Sequence, residues 1–195
     1  MNLIIPMAGK GTRLRPQTLT TPKPLIEIAG KTIVQRIVDT LSNIESNKIK
    51  KIGFIIEQKS DEVEQMLYLI GRQNKVDVHI FYQELALGTA HAIYCAKKLL
   101  YGPTLIVFAD TLFESDIKIP EFCDGCVFVK EVEDPRSYGV VKLNREGKIS
   151  EFLEKPSTMV SNLAIVGVYY FKDGALLSNE IKTILDEKIM IKGEY

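Results

Sequence analysis

Short apolar runs without alternation decide the architecture available to this chain. "LIIP" at Leu3–Pro6, "FII" at Phe54–Ile56 and "LIVF" at Leu105–Phe108 place apolar residues at both parities. Successive side chains of a strand point to opposite faces, so such runs must be covered on both sides, as in a parallel sheet packed between helices. The stretches between them have helical periodicity. "KTIVQRIVDTLSNI" sets Ile33, Val34, Ile37, Val38, Leu41 and Ile44 on one face. "SDEVEQMLYLI" reads as a helix capped by Ser60, and "GTAHAIYCAKKLL" as a third helix. "KKIGFIIE" and "VDVHIFYQ" read as further strands.

From about Cys126 the pattern changes. "CVFVKEV", "YGVVKLN", "GKISEFLEKP" and "LAIVGVYYF" follow one another as strands, with a turn at Asn144–Gly147 and no intervening helix. This predicts an antiparallel extension of the sheet. A last helix is expected over about Gly174 to Ile189. With 195 residues, 46% of them hydrophobic, the chain fits one α/β domain with a sizeable core.

Charge narrows the partners. Twenty-five Lys and Arg balance 25 Asp and Glu, so the concentrated positive charge of a nucleic-acid or membrane-surface binder is missing. No run reaches the roughly 18 apolar residues of a membrane span, and the amino terminus lacks signal-peptide order. The expectation is a cytoplasmic protein with a small-molecule partner, binding neither nucleic acid nor membrane. Cys95, Cys123 and Cys126 are too few for a disulfide framework. "CDGC" lacks the second pair a zinc site would want, and Asp124-Gly125 favours a turn between strands, so ordinary thiols are expected.

Behind the first strand lies "MAGKGTRLRPQTLTTPKPL", Met7 to Leu25, without helical or strand periodicity. In an open parallel sheet this loop is a favoured place for phosphate. Gly9 and Gly11 permit close backbone approach, so that N–H groups can converge on an anion. Arg13 adds a planar fork of donors, and Lys10, Arg15 and Lys23 add charge. Pro22 and Pro24 bracket Lys23 and bias it towards extended backbone. A triphosphate fits this loop; a surface turn with solvated cations is the plainer alternative. Two commoner phosphate motifs fail on spacing. Leu14 stands where the dinucleotide fingerprint needs its third glycine, and Leu25 where "GKT" at Gly30–Thr32 would need the first glycine of a P-loop.

This loop closely resembles the signature of the sugar-1-phosphate nucleotidylyltransferases. Five more segments match in family order: "QELALGTAHAI" at Gln83–Ile93, "FAD" at Phe108–Asp110, "SYGVVKL" at Ser137–Leu143, "FLEKP" at Phe152–Pro156 and "SNLAIVGVYYF" at Ser161–Phe171. The last is especially similar to bacterial uridylyltransferases acting on glucose 1-phosphate. The resemblance implies a Rossmann-like, mostly parallel central sheet with helices on both faces and an antiparallel sugar-side extension. It also implies a single domain over 1–195, with about 1–125 binding nucleotide and about 126–195 binding sugar.

The implied reaction joins UTP or dTTP to a hexose 1-phosphate, glucose 1-phosphate above all, and releases pyrophosphate by direct displacement. Both reactants are anions, so the protein must neutralise repulsion and hold the reacting groups in line. By resemblance, Ala8, Gly9, Lys10, Gly11 and Thr12 surround the phosphates, Arg13 stabilises the leaving group and Lys23 meets the α-phosphate. Asp110 ends a central strand, where its carboxylate would hold Mg²⁺ against the substrate phosphates. Gln83 offers a donor and an acceptor that match uracil or thymine, while a rotated amide would suit cytosine. Gly88 and Thr89 open the next helix, the glycine letting the base lie on backbone and Thr89 able to cap it. Gly139, Glu154 and Lys155 match the sugar-phosphate side, and Glu194 a position contacting sugar hydroxyls.

Family members continue beyond the equivalent of "KGEY" to a second aspartate that shares the metal, so a fragment truncated at its C-terminal end is expected. Family members commonly self-associate, which makes a homo-oligomer the corresponding expectation. Other substrates for the same chemistry are CTP with phosphocholine or GTP with mannose 1-phosphate. A non-catalytic, nucleotide-sugar-binding regulatory homologue is the rival of another class.

Overall fold

The computed structural model describes residues 1–9, 22–42, 48–110, 112–113, 118–120, 122–191 and 193–195. In chain order the strands and helices are β1 (Asn2–Pro6), β2 (Glu27–Ile28), β3 (Lys31–Thr32), α1 (Ile33–Ser42), β4 (Lys51–Ile56), α2 (Asp61–Asn74) and β5 (Asp77–Tyr82). They continue with α3 (Thr89–Cys95), β6 (Thr104–Val107), β7 (Gly125–Glu131), β8 (Gly139–Leu143), β9 (Ile149–Glu154), β10 (Leu163–Phe171) and α4 (Gly174–Asp186). The main sheet runs β5-β4-β1-β6-β10-β8-β9, with β7 also pairing β10. β1 is parallel to β4 and to β6, and β4 to β5. β10 is antiparallel to β6, β7 and β8, and β8 to β9. The antiparallel extension is therefore fused to the parallel half through β10.

The two-sided burial of the apolar runs is direct. Leu3, Ile5, Phe54, Leu105 and Val107 join Val34, Ile37, Leu41, Leu67 and Ile70 of α1 and α2 in one core layer. Ile4, Ile55 and Ile106 face the other way, into a layer with Ile93, Leu99, Leu100 and Ile181 from the α3 and α4 side. Odd and even positions of one strand thus feed different cores. No described helix is long and apolar enough to cross a membrane.

Boundaries follow local chemistry. Ser60 Oγ accepts from Val63 N–H and caps α2. α3 is shorter than its periodicity predicts. It stops at Cys95, and a 3₁₀ turn at Lys97–Leu99 tightens the chain so that Leu99 reaches the sheet over Gly53. α4 ends at Asp186 rather than near Ile189, because Lys188 turns left-handed at φ 54°. Ile189 N–H then closes on Ile184 O at 3.0 Å and Lys188 N–H on Leu185 O at 3.3 Å, a Schellman termination. The helix expected from Lys31 starts at Ile33, since Lys31–Thr32 pair with Glu27–Ile28 as a hairpin. Ile44 lies outside the described residues. Cys95, Cys123 and Cys126 are free thiols. "CDGC" lies between β6 and β7, as expected: the chain bends at Asp124, Gly125 begins β7, and Lys172 N–H donates to Asp124 O at 2.9 Å.

Candidate active site

The four parallel strands end on the same edge of the sheet, and the residues just beyond them gather around one cavity of about 440 Å³. Met7, Ala8 and Gly9 follow β1, Glu57 follows β4, Gln83 follows β5, and Phe108 to Asp110 follow β6. β1 has β4 on one side and β6 on the other, so connections leave it in opposite directions and open a crevice at the carboxyl ends. Lys23, Gly88, Thr89 and Glu194 complete the walls.

Lys23 begins a 3₁₀ turn, Lys23–Leu25, rather than the extended segment that its flanking prolines favour. Leu25 N–H closes the turn on Pro22 O at 2.8 Å, and burial of Pro24 and Leu25 fixes it. Tertiary packing has overridden the local bias. From there the ammonium reaches Asp110, with Nζ 3.3 Å from the backbone O and 3.7 Å from Oδ2. The Asp110 side chain is 59% exposed, so the pair stands at the mouth rather than in the core. An exposed carboxylate at the mouth of a cavity suits Mg²⁺, which is commonly held by one or two carboxylates together with phosphate oxygens and water. Among the described residues no three His, Cys, Asp or Glu side chains gather as a ready metal cage.

Gln83 is 4% exposed. Its Nε2 donates to Gly88 O at 3.0 Å and lies 3.2 Å from His91 Nδ1. The donor half of the amide is thus engaged within the protein, unlike the donor and acceptor pair expected to meet the base. Gly88 is the residue before α3, at φ 98° and ψ −177°, a conformation effectively open to glycine alone. It makes no side-chain cap, and Thr89 is the first helical residue rather than the cap. A Cβ on Gly88 would stand 2.5 Å from Tyr195 O, so the glycine also makes room for residues 193–195. Ala90 N–H donates to Tyr195 O at 3.0 Å and Tyr195 N–H to Leu87 O at 2.8 Å. Glu194 is thereby brought to the cavity of Gln83 and Gly88. Gly9 N–H donates to Met7 O at 2.9 Å. Lys10, Gly11, Thr12 and Arg13 lie outside the described residues.

Gly139, Glu154 and Lys155 form a second group on the β8–β9 hairpin, where Gly139 pairs with Glu154. A Cβ on Gly139 would come 3.0 Å from Glu154 Oε2, so the missing side chain leaves space for the carboxylate. Lys155 has a φ of 47°, uncommon for a residue with a side chain. Its N–H is tied to Tyr138 O at 3.0 Å, and its Nζ lies 3.2 Å from Glu154 Oε1.

Tyr169, inside "SNLAIVGVYYF", lies within electrostatic reach of both groups. Burial, then the negative charges of Asp110 and Glu154, push its phenol pKa up. Gly167, at φ 79°, interrupts the pairing of β10 with β7 and accepts from Phe108 N–H at 3.0 Å. Two residues on, the Tyr169 ring meets Phe108 edge-to-face at 5.9 Å. Glu57 lies outside the quoted motifs, while His91 lies inside "QELALGTAHAI", where it meets Gln83. Glu57 shares the strand-end position of Gln83 and Asp110, which is the signal that could have found it.

Known proteins fit this geometry. A bifunctional protein GlmU from Methanocaldococcus jannaschii is 36% identical over 171 residues, covering 88% of this chain and 40% of the relative. A mannose-1-phosphate guanylyltransferase catalytic subunit beta from Drosophila melanogaster is 31% identical over 194 residues, covering 95% of this chain and 52% of the relative. The chain thus spans about half or less of the length of these curated relatives. A solved chain from Bacillus anthracis, described as a glucose-1-phosphate thymidylyltransferase, superposes with a TM-score of 0.79 at 23% identity, covering 95% of this chain and 75% of that one. A UDP-glucose pyrophosphorylase complexed with UDP-glucose gives a TM-score of 0.73 at 23% identity, covering 95% and 79%. These two likenesses carry the fold. The pattern defining the nucleotidyl transferase family matches residues 3–191, and the chain belongs to that family.

Proposed function

We propose that the protein transfers a nucleotidyl group from UTP or dTTP to a hexose 1-phosphate, glucose 1-phosphate first, releasing pyrophosphate and forming a nucleotide sugar by in-line displacement. The observation that carries this reading is the meeting of Gln83, Lys23 and Asp110 around one strand-end cavity. About 1–125 then serves the nucleotide and about 126–195 the sugar phosphate.

Attack of one phosphate on another is opposed by charge, and the side chains answer that opposition. Lys23 neutralises the α-phosphate and Arg13 the leaving pyrophosphate. Lys155 draws in the sugar phosphate, while Glu154 accepts from sugar hydroxyls. Tyr169, a neutral phenol in the field of Asp110 and Glu154, is available as a donor to the bound substrates. Asp110 would hold Mg²⁺, which supplies charge neutralisation at the phosphates when bound. The solved relatives named for thymidylyl transfer to glucose 1-phosphate and for UDP-glucose support these substrates.

A second reading, GTP with mannose 1-phosphate, is favoured by the Drosophila relative's name and by Gln83 Oε1, which could accept from guanine N1–H as well. The test is pyrophosphate release from UTP, dTTP, GTP and CTP, each with glucose 1-phosphate or mannose 1-phosphate and Mg²⁺. Turnover with UTP or dTTP and glucose 1-phosphate is expected, and Asp110→Asn should lower it roughly 100-fold or more. GTP with mannose 1-phosphate as the preferred pair would replace the first reading by the second. Unchanged activity in Asp110→Asn would remove Asp110 from the mechanism.

A further inference from the structure

Gln83 has two chemically different ends, and the protein holds one of them. A carbonyl oxygen only accepts, so the end of the amide 3.0 Å from Gly88 O must be the NH₂ group. The second hydrogen of that NH₂ meets His91 Nδ1 at 3.2 Å, which requires Nδ1 to be bare and the imidazole to carry its hydrogen on Nε2. Both donors are then used within the protein. Oε1 is the end left for a ligand in the cavity that Gln83 lines.

We propose that His91 is a positioning residue which, with the Gly88 carbonyl, pins the Gln83 amide so that Oε1 faces the nucleobase and selects bases with a ring N–H. This rests on the nucleotide-transfer reading above and deepens it. Uracil, thymine and guanine offer such a hydrogen, whereas cytosine and adenine present a bare ring nitrogen that Oε1 repels. The rotated amide that would suit cytosine would set Oε1 against Gly88 O. CTP is thereby disfavoured by the fold around Gln83, not by Gln83 alone.

The device is pH-sensitive. Protonation at Nδ1 would set an N–H against the NH₂ of Gln83, two donors face to face, and free the amide to turn. Burial alone lowers the His91 pKa from its ordinary value near 6.5. The charged or titratable groups on the surrounding elements are Tyr94 and Cys95 of α3, Lys51 of β4 and Glu57 after it. Glu84 follows β5, Glu180, Lys182 and Asp186 lie on α4, and Glu194 and Tyr195 end the chain, while β1 has none. None of these groups contributes to the shift. Because the folded pKa is the lower one, the unfolded chain takes the proton first. The stability from a neutral His91 is complete above about 6.5 and declines as pH falls towards the folded value.

The test is calorimetric titration of the protein with UTP and with CTP, Mg²⁺ present, from pH 5.5 to 8, for wild type, His91→Phe and His91→Asn. Wild type should prefer UTP roughly tenfold or more at pH 8, with the ratio shrinking towards acid. His91→Phe has no acceptor and should lose the preference at every pH. His91→Asn puts an amide oxygen near the place of Nδ1 and cannot titrate, so it should keep the preference with a flat profile. A His91→Phe variant that retains the wild-type ratio, or a wild-type ratio unmoved by pH, would overturn the inference while nucleotide binding stands. Absence of binding to either nucleotide by wild type would overturn the nucleotide-site reading and this inference with it. Should His91→Phe fail to fold, the wild-type and His91→Asn profiles decide alone.

Discussion

Replacing Gly88 with alanine should cost about 3–5 kcal/mol. The backbone at φ 98° and ψ −177° lies in a region that side chains avoid, at a cost of about 1–3 kcal/mol. The new Cβ would meet Tyr195 O at 2.5 Å, Tyr195 N at 2.7 Å and Glu194 Cβ at 2.8 Å. The first two are backbone atoms and cannot rotate aside, so residues 193–195 must shift. That shift breaks the bonds from Ala90 N–H to Tyr195 O and from Tyr195 N–H to Leu87 O, each worth about 1 kcal/mol. Gly102 is the matched control. It sits at φ 55° with nothing within 4 Å of an added Cβ, so alanine there costs only the left-handed backbone term, about 1–2 kcal/mol. Urea denaturation of the two variants should separate their midpoints by about 1 M at a slope of roughly 2 kcal/mol/M. Gly88→Ala should also bind UTP more weakly, since Gly88 O holds Gln83. Unfolding free energies that coincide within about 0.5 kcal/mol would refute the close approach of Glu194 and Tyr195 to Gly88.

Asp173 caps α4 by accepting from Ala175 N–H at 2.9 Å, so Asp173→Ala should lose about 1 kcal/mol in chemical denaturation and Asp173→Asn most of that back. Hydrogen bonds from the Arg136 side chain and backbone hold the Asp134 carboxyl down at about 2. A carboxyl-detected NMR titration should find that midpoint, and Arg136→Gln should move it up towards 3.8. The sign follows from a depressed folded pKa: any stability from this exposed pair is present above 3.8 and gone once pH falls through about 2.

Much of the site was legible because the chain writes burial locally. The two-parity apolar runs required a sheet covered on both faces, and Ile4 with Ile5 shows how neighbouring residues enter different cores. A polar residue shortly after a strand stands at a sheet edge, which is why Gln83 after β5 and Asp110 three residues after β6 were readable as strand-end residues. The same rule pointed to Glu57 and went unused. The backbone of Lys23 differs from its local bias, since burial of Pro24 and Leu25 outweighed the extended preference of its prolines. Thr89 looked like a cap because threonine often is one. The contact of residues 193–195 with Gly88, more than a hundred residues apart in the chain, accompanies the unusual backbone of that glycine instead.

The residue pattern sufficed for the kinds of element, their two-sided burial, the loop suited to phosphate and the ordered family motifs. These depend on side-chain period, turn chemistry and short spacings, all contained in windows of a few residues. It did not contain the orientation of the Gln83 amide, the meeting of Lys23 with Asp110, or the electrostatic reach of Asp110 and Glu154 to Tyr169. Those depend on strand order and register. β1 must lie between β4 and β6, and β10 must join the parallel half to the hairpin, before such groups come within hydrogen-bonding or electrostatic reach. A hydrogen bond is set by distances of a few tenths of an ångström between segments far apart in the chain, and no local pattern carries that information.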